Sequence, residues 1–436
     1  VSWRAFEQIN APARGQCMMG TTTLPTSLIP SQRGVSVGIK PDRLEAVDLL
    51  RGVVMVIMAL DHVRDFWYSG ILTDATNMRE TTVELFFTRW ITHYCAPTFI
   101  FLAGTGAYLS RARGKSKFDL SWFLLTRGLW LSFYELVINR IAWGFSFDYH
   151  IHTPGVFWAI GMSMVVLSVL VYFPTIVVTL FGVGMILVHN SFDGWTAEQV
   201  HIPNRLWTVL HNNVETIMFQ WGQPPNVEAI RFNTGYLLIP WMGVMAAGYG
   251  FGSMLTLDRE TRRKNVFFLG ISLIVMFFLL RYSNKYGDPS PWSIQDRPGM
   301  TIPSFLNCTK YPPSLCYLLM TLGPSITLIA IFDQPLSPIL RPILTFGRVP
   351  MFFYFMHILL IHGGVVLLDL IRFGQSPLGI NGPGVTPETF AKWPNYGVSL
   401  PMVYVVWIAV VVILYFPCRW YAGVKKRHPG GILSYM

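Results

Sequence analysis

The sequence predicts an all-α, polytopic membrane protein with about ten transmembrane helices, on three observations. Hydrophobic residues fill 52% of the 436 positions and charged residues only 13%, against roughly 25% charged in soluble domains. Apolar windows of about 19 residues, the length that crosses a bilayer, recur from residue 45 to residue 418. Lysine and arginine gather in alternate loops, as in a chain threaded back and forth through a membrane. This composition excludes a soluble enzyme, a disordered chain and a nucleic-acid-binding domain. The net charge of +10 then reports topology rather than a polyanionic partner.

Taken in order, residues 1–43 are polar, hold four prolines and show no apolar period. They predict a flexible cytoplasmic segment over 1–42, without the continuous apolar run of a signal peptide. The chain begins with Val, and Met18 or Met19 is a candidate start. Apolar spans follow near 45–67, 85–109, 122–142, 155–173, 174–189, 235–257, 266–282, 314–332, 346–370 and 399–418. The first is the weakest, since its uninterrupted apolar stretch is only Val53–Leu60. The boundary at Phe173–Pro174 is a tight turn. A membrane domain over 43–420 and a basic cytoplasmic tail over 421–436 complete the organisation.

Loop charges support the even count. Basic clusters occur before the first span (Arg4, Arg14, Arg33, Lys40, Arg43), after the second (Arg111, Arg113, Lys115, Lys117), after the sixth (Arg259, Arg262, Arg263, Lys264) and after the last (Arg419, Lys425, Lys426, Arg427). Ten spans put all four clusters on one side; losing one span in mid-chain breaks the agreement. Gly144–Pro154, on the other side, has no Lys or Arg. The positive-inside rule then predicts an inner-membrane, multi-pass protein with both termini in the cytoplasm. The five cysteines, Cys17, Cys95, Cys308, Cys316 and Cys418, form no CxxC pair. They read as small buried hydrophobes rather than as a metal site or disulfide framework.

The first span carries the chemistry. On a helix, RLEAVDLLRGVVMVIMALDHVRDFW (43–67) puts Asp48, Arg51, Met55, Met58, His62 and Asp65 on one stripe. Arg51 and His62 are eleven residues apart, about 16 Å along the axis. A charge inside a span costs at least ~2.5 kcal/mol on insertion scales, so such groups face a polar cavity or one another. Two readings of the acids stand side by side: Asp61 and Asp65 orient a catalytic imidazole, or they join Asp48 in ion pairs that knit helices. His62 reads as a general base, because a neutral imidazole titrates near physiological pH.

Other spans place polar groups at matching depths. His93, Glu135, Asn139, Arg140, His357 and His362 fall in the outer half, Asp48, Arg51, Arg127 and Arg348 in the inner half. His93 and His357 are further catalytic candidates, although His93 also suits a plain helix–helix hydrogen bond, and His362 and Arg140 also suit the membrane interface. Arg51, Arg127 and Arg348 are candidate phosphate ligands, with a positive-inside anchor as the other role of Arg348. A cofactor with a phosphate end and a reactive end, entering from the cytoplasm, fits this polarity, and acyl-CoA is such a molecule. NCTKYPPS (307–314) precedes the eighth span. Lys310 and Tyr311 there line an acceptor entrance, or Pro312 and Pro313 merely shape the helix start. GxSxG, HExxH and P-loop motifs are absent.

Together with the first span, the strings FFTRWITHYCAPTFIFLAG, GYLLIPWMGVMAAGYG, SFLNCTKYPPSLCYLLMTLGP and FGRVPMFFYFMHILLIH resemble bacterial membrane proteins of the heparan-α-glucosaminide N-acetyltransferase catalytic-domain family, from about Arg43 to Trp420. The first span is also similar to the acyltransferase-3 family, whose R-x10-H pattern matches Arg51 and His62. FLLTRGLW, with Arg127, extends that similarity; Trp130 stands where that family often repeats an arginine. The resemblance implies an acyl-CoA-dependent O- or N-acyltransferase that carries an acetyl group from cytoplasmic acetyl-CoA to a sugar or envelope glycan on the outer side. In the heparan family the catalytic His lies between the first two spans, but no His lies between Val63 and Thr92 here. The catalytic role therefore rests on His62. The expected partners are the lipid bilayer, acyl-CoA and a hydroxyl or amine acceptor, with a homodimer as a candidate assembly and no nucleic acid. The alternative is a proton-coupled exporter of a small solute; internal duplication of the kind common in transporters is not evident.

Overall fold

The computed structural model describes residues 44–211, 217–221, 228–233, 235–379, 386–393 and 395–428. The expected flexible segment 1–42 lies outside the described residues, as do residues 429–436 of the expected tail.

Each of the ten expected spans coincides with a helix or an unbroken helical run. These are α1 (Glu45–Trp67), α2 (Cys95–Ala112), α3 (Lys117–Phe133), α4 (Val156–Leu170), α5 (Thr175–Val188), α6 (Leu238–Phe251), α7 (Arg259–Ser283), α8 (Leu315–Phe332), α9 (Pro350–Phe373) and α10 (Leu400–Arg427). Six, α5 to α10, form runs long and apolar enough to cross a membrane. α4 is apolar but shorter, and α1 interrupts its apolar run with Asp48, Arg51, Asp61, Arg64 and Asp65. The last helix runs on to Arg427, so residues 421–427 of the expected tail are helical.

With the Glu45 end of α1 taken as the lower end, contacts between connections fix the alternation of the helices. Below, Lys117 donates to the Tyr172 carbonyl, Arg262 pairs with Asp333, and Arg348 pairs with Glu45. Above, Leu315 N donates to Asn190, Asn307 donates to the Thr76 carbonyl, and Val398 N donates to the Trp67 carbonyl. The basic clusters of the loops therefore share the lower end.

Burial separates the helices by role. α1, α6 and α8 are mostly buried, and α1 packs against α2, α8, α9 and α10. α5, α7 and α10 expose Val, Leu, Phe and Ile along most of their length, which suits contact with lipid chains. A charged helix thus sits at the centre and apolar helices at the periphery. That order solves the cost of charge in hydrocarbon by wrapping α1 in protein.

Two local devices position the site. α1 meets the short helix Arg341–Arg348 backbone to backbone: a Cβ on Gly347 would lie 1.8 Å from the Asp48 carbonyl oxygen, and one on Gly52 would lie 2.0 Å from the Ile343 oxygen. This contact brings Arg51 and Arg348 to one place. In α3, the helix widens into a π turn over Tyr134–Asn139 before closing as Arg140–Gly144. Such turns are rare and re-aim side chains; here Glu135 and Asn139 both reach the upper cavity described below. Three short strands, unforeseen in the sequence, lie in the upper connections: β1 (Ile151–His152), β2 (Ile217–Trp221) and β3 (Glu228–Phe232), in the order β1-β3-β2. β1 pairs in parallel with β3 through Ile151–Arg231, and β2 pairs antiparallel to β3 through Phe219–Ile230. This sheet steadies the connection His152–Gly155, which forms one rim of the upper cavity.

Candidate active site

Two cavities that each hold charged side chains on partly apolar walls flank the middle of α1. The upper one, about 460 Å³, is lined by His62, Asp61, Asp65, Arg89, Lys310 and Tyr311 among others. The lower one, about 430 Å³, combines Arg51, Arg113, Arg127, Arg348 and Lys425 with apolar walls such as Met55 and Phe157. Tyr354 and Val156 line both. The stripe on α1 thus splits: Arg51 faces the lower cavity and His62 the upper one. The two cavities have Tyr354 and Val156 in common, a Tyr–Val seam between them.

His62 is buried at the wall of the upper cavity, and its Nδ1 lies 2.7 Å from Nε2 of His357. His357 is fully buried behind it, and its own Nδ1 lies 3.1 Å from the Phe353 carbonyl. The chain of bonds assigns the protons. A carbonyl only accepts, so Nδ1 of His357 carries hydrogen. Neutral His357 then accepts at Nε2, so His62 donates from Nδ1. The lone pair of His62 is left on Nε2, the arrangement a general base needs. Trp143 and Tyr354 stand edge-on against the His62 ring, at 4.9 and 6.0 Å between centroids.

The acids near His62 are engaged elsewhere. Asp61 pairs with Arg64 at 3.0 Å and with Arg89 of the helix Val83–Trp90, while Asp65 pairs with Arg64 at 2.5 Å. No described hydrogen bond joins either carboxylate to His62. The hydrogen-bond partner of the His62 ring is thus His357 rather than Asp61 or Asp65, and the acids take part in an ion-pair network, their other reading. The Arg89 contact ties α1 to the next helix; the Asp48–Arg51 pair, at 3.0 Å, stays within α1.

His93 lines neither cavity. It packs beside Tyr317, whose hydroxyl donates to the His93 backbone carbonyl. His362 bridges the carbonyls of Ala142 and Leu378, both at 2.9 Å, and stacks between Phe66 and Phe145. It fastens the upper ends of α3 and α9. Glu135 serves the fold as well: its carboxylate accepts from the backbone N–H groups of Gly155 and Phe157, at the start of α4. A carboxylate there satisfies donors that a helix start leaves unpaired and complements its dipole. A Cβ on Gly155 would lie 2.8 Å from Glu135 Oε1, so a side chain there would displace the carboxylate.

In the lower cavity, Arg51 also donates to the Gly347 carbonyl at 3.3 Å, Arg348 pairs with Glu45 at 2.9 Å, and the Arg127 guanidinium stands 5.8 Å from the Phe123 ring centre. The three arginines singled out in the sequence come together. Arg113 and Lys425 join them; the sequence shows both only as members of loop clusters that mark topology. Tyr354, Trp143 and Arg89 were missed. Their sole signal is that polar or amphipathic side chains fall within or beside apolar runs. Lys310 and Tyr311 do reach the upper cavity, and the Lys310 ammonium lies 5.1 Å from the Tyr311 ring centre.

A larger cavity of about 620 Å³ between α5, α6, α7 and α8 is almost wholly apolar and holds no titratable group but Tyr108. No cluster of His, Cys, Asp and Glu with metal-binding geometry occurs among the described residues.

Compared with known proteins, the chain matches the family model described as heparan-alpha-glucosaminide N-acetyltransferase, catalytic, over residues 43–283. That is just over half of the chain and runs from α1 through α7. It includes Arg51, His62, Arg127 and Glu135; Arg348, Tyr354 and His357 lie beyond it. No curated protein matches the chain.

Proposed function

Since the chain belongs to the heparan-alpha-glucosaminide N-acetyltransferase catalytic family, and is thus a membrane protein of acetyltransferase type, we propose that it moves an acetyl group from acetyl-CoA to a sugar or envelope glycan across the bilayer. The observation that carries this reading is the placement of His62 and Arg51 on the two sides of one seam. A basic, partly apolar chamber backs onto a chamber that holds an imidazole with a free lone pair. Arginine guanidinium groups match the phosphates of CoA, and the apolar walls suit the pantetheine arm. The lower end carries the loop clusters, so the positive-inside rule makes it cytoplasmic. The donor enters there and the acceptor from the opposite side, past Lys310 and Tyr311.

In this mechanism His62 Nε2 takes the proton of the acceptor hydroxyl or amine as that group attacks the thioester carbonyl. His357 holds the ring in the required tautomer and shares the charge of the imidazolium. The tetrahedral intermediate then expels the CoA thiolate, which recovers the proton from His62. Asp61, Arg64, Arg89 and Asp65 keep the surroundings of the base fixed. The test is mass spectrometry of envelope glycans from cells with and without the protein, together with labelled acetyl-CoA and the purified protein. Loss of an acetyl increment without the protein, restored by the wild type and not by His62→Ala, is the expected result. Unchanged glycans, no binding of acetyl-CoA and a solute flux driven by a proton gradient would instead establish an exporter.

A further inference from the structure

The seam between the chambers is built around one hydroxyl. Tyr354 comes from the first turns of α9 and lines both cavities. Its oxygen lies 3.1 Å from Nε1 of Trp143 and 3.4 Å from Nδ2 of Asn139. An indole N–H only donates. The amide of Asn139 is fixed the same way round, because the same Nδ2 also lies 3.3 Å from Oε1 of Glu135. That carboxylate accepts from Gly155 and Phe157 and offers no donor in return. The Tyr354 oxygen therefore receives two hydrogen bonds, and its own proton has no acceptor among the described residues. Hydrogen bonds received by a hydroxyl strengthen the one it gives. Tyr354 is a polarised donor with no recorded acceptor, on a wall common to both chambers.

Building on the acyl-transfer reading, we propose that Tyr354 is a catalytic residue whose O–H donates to the thioester carbonyl oxygen and holds the oxyanion of the tetrahedral intermediate. The donor's acyl end must reach the seam to meet an acceptor in the upper chamber, and Tyr354 is the polar side chain that both chambers share there. Its ring stands edge-on to that of His62 at 6.0 Å, so base and donor serve one carbonyl from adjoining positions. As the acceptor oxygen or nitrogen bonds to the carbonyl carbon, its proton passes to His62 Nε2. The carbonyl π pair moves onto oxygen and is held by the Tyr354 proton, which stays on the phenol. The pair then returns, the C–S bond breaks, and the thiolate takes the proton from His62. Atoms and charge balance without a further reactant. Glu135, which caps α4, thereby acts through Asn139 as a positioning residue for the phenol.

The test uses the full-length protein in detergent with carbonyl-labelled acetyl-CoA, read by isotope-edited infrared spectroscopy and by CoA release with glucosamine as acceptor. Bound to the wild type, the thioester carbonyl band moves to lower frequency than in free acetyl-CoA. In Tyr354→Phe the band returns to the free position, the Kd for acetyl-CoA stays within about threefold, and CoA release falls about 10²–10³-fold, the cost of one lost oxyanion donor. Trp143→Phe removes one of the bonds that aim the phenol and gives a smaller band shift than the wild type; it also serves if Tyr354→Phe does not fold. A wild type that binds acetyl-CoA, with a band unmoved by Tyr354→Phe or never displaced, overturns the role of Tyr354 alone. A wild type that does not bind acetyl-CoA overturns the acyltransferase reading and this proposal together.

Discussion

His62 Nδ1 and His357 Nε2 lie 2.7 Å apart, and only one of these imidazoles reaches a cavity. The second is sealed in α9 and held by the carbonyl of Phe353 one turn earlier. A backbone carbonyl at one end of this series decides which nitrogen at the other end is basic. In His62→Ala the base is gone, and acetyl transfer falls by about 10²–10⁴-fold, the usual worth of general base catalysis. Acetyl-CoA affinity stays nearly unchanged, because the arginines proposed to bind its phosphates line the other chamber. Isothermal titration beside a thiol-release assay separates the two quantities. In His357→Phe the ring of His62 loses its partner and its fixed tautomer. The rate falls less than in His62→Ala, and the pH–rate profile moves, whereas a purely structural role would leave that profile in place.

The lower chamber predicts a different signature. Arg127→Ala, Arg113→Ala and Arg348→Ala each weaken acetyl-CoA binding by about tenfold, from the ~1.5–3 kcal/mol of a hydrogen bond to a charged group less the exposure of the site to water. Salt weakens wild-type binding in the same direction. The rate at saturating acetyl-CoA changes little. A drop in that rate with unaltered affinity would remove these arginines from the donor site.

The ion pairs around Asp61 predict a loss of stability rather than of chemistry. Asp61→Ala leaves Arg64 and Arg89 facing each other with one carboxylate fewer, and side chains in this group are mostly buried. Breaking a buried pair from one side costs about 3–5 kcal/mol, read as a lower thermal midpoint in detergent. Asp61→Asn, which keeps hydrogen bonding but not charge, loses less. Were Asp61 the group that orients His62, both variants would lose activity at an unchanged midpoint.

Gly347→Ala tests the backbone contact below. The added methyl meets the Asp48 carbonyl at 1.8 Å, so α1 and the helix Arg341–Arg348 must part. Overpacking of this kind costs about 1–3 kcal/mol. It also carries Arg348 away from Arg51, so acetyl-CoA binding weakens although no ligand is removed. Gly184→Ala on α5, with nothing within 4 Å of the added methyl and outside both cavities, is the control that leaves both unchanged.

The spans were legible because hydrocarbon imposes one length and one composition on every helix that crosses it. Loop charge then fixed their alternation, and depth put Arg51, Arg127 and Arg348 in the same half of the spans. Depth says nothing of which side chains share a wall. The spacing of Arg51 and His62 put both on one stripe of α1; that Tyr354, from a helix about 300 residues further on, lines both cavities beside them arises only from packing. His357 was visible as a polar residue in an apolar span, but its contact with His62 arises from the packing of α9 on α1. The orienting role given to Asp61 and Asp65 came from proximity along the chain. The packing of Val83–Trp90 brings Arg89 to Asp61 instead, and an arginine outcompetes a neutral imidazole for a carboxylate. The π turn at Tyr134–Asn139 has no compositional mark, since residues in and out of it are equally helical.

The seam at Tyr354 and Val156 has an electrical consequence. A bilayer resists voltage through its whole hydrocarbon thickness, about 30 Å. Where polar chambers enter from both faces, the potential instead drops across the little material between them. Moving one elementary charge through such a septum is worth ~2.3 kcal/mol per 100 mV, now concentrated over a few bonds. On the proposed two-sided entry, Tyr354 and Val156 are part of the insulation of the membrane, and the expected result of trimming Tyr354 to alanine is a conductance measurable in a planar bilayer.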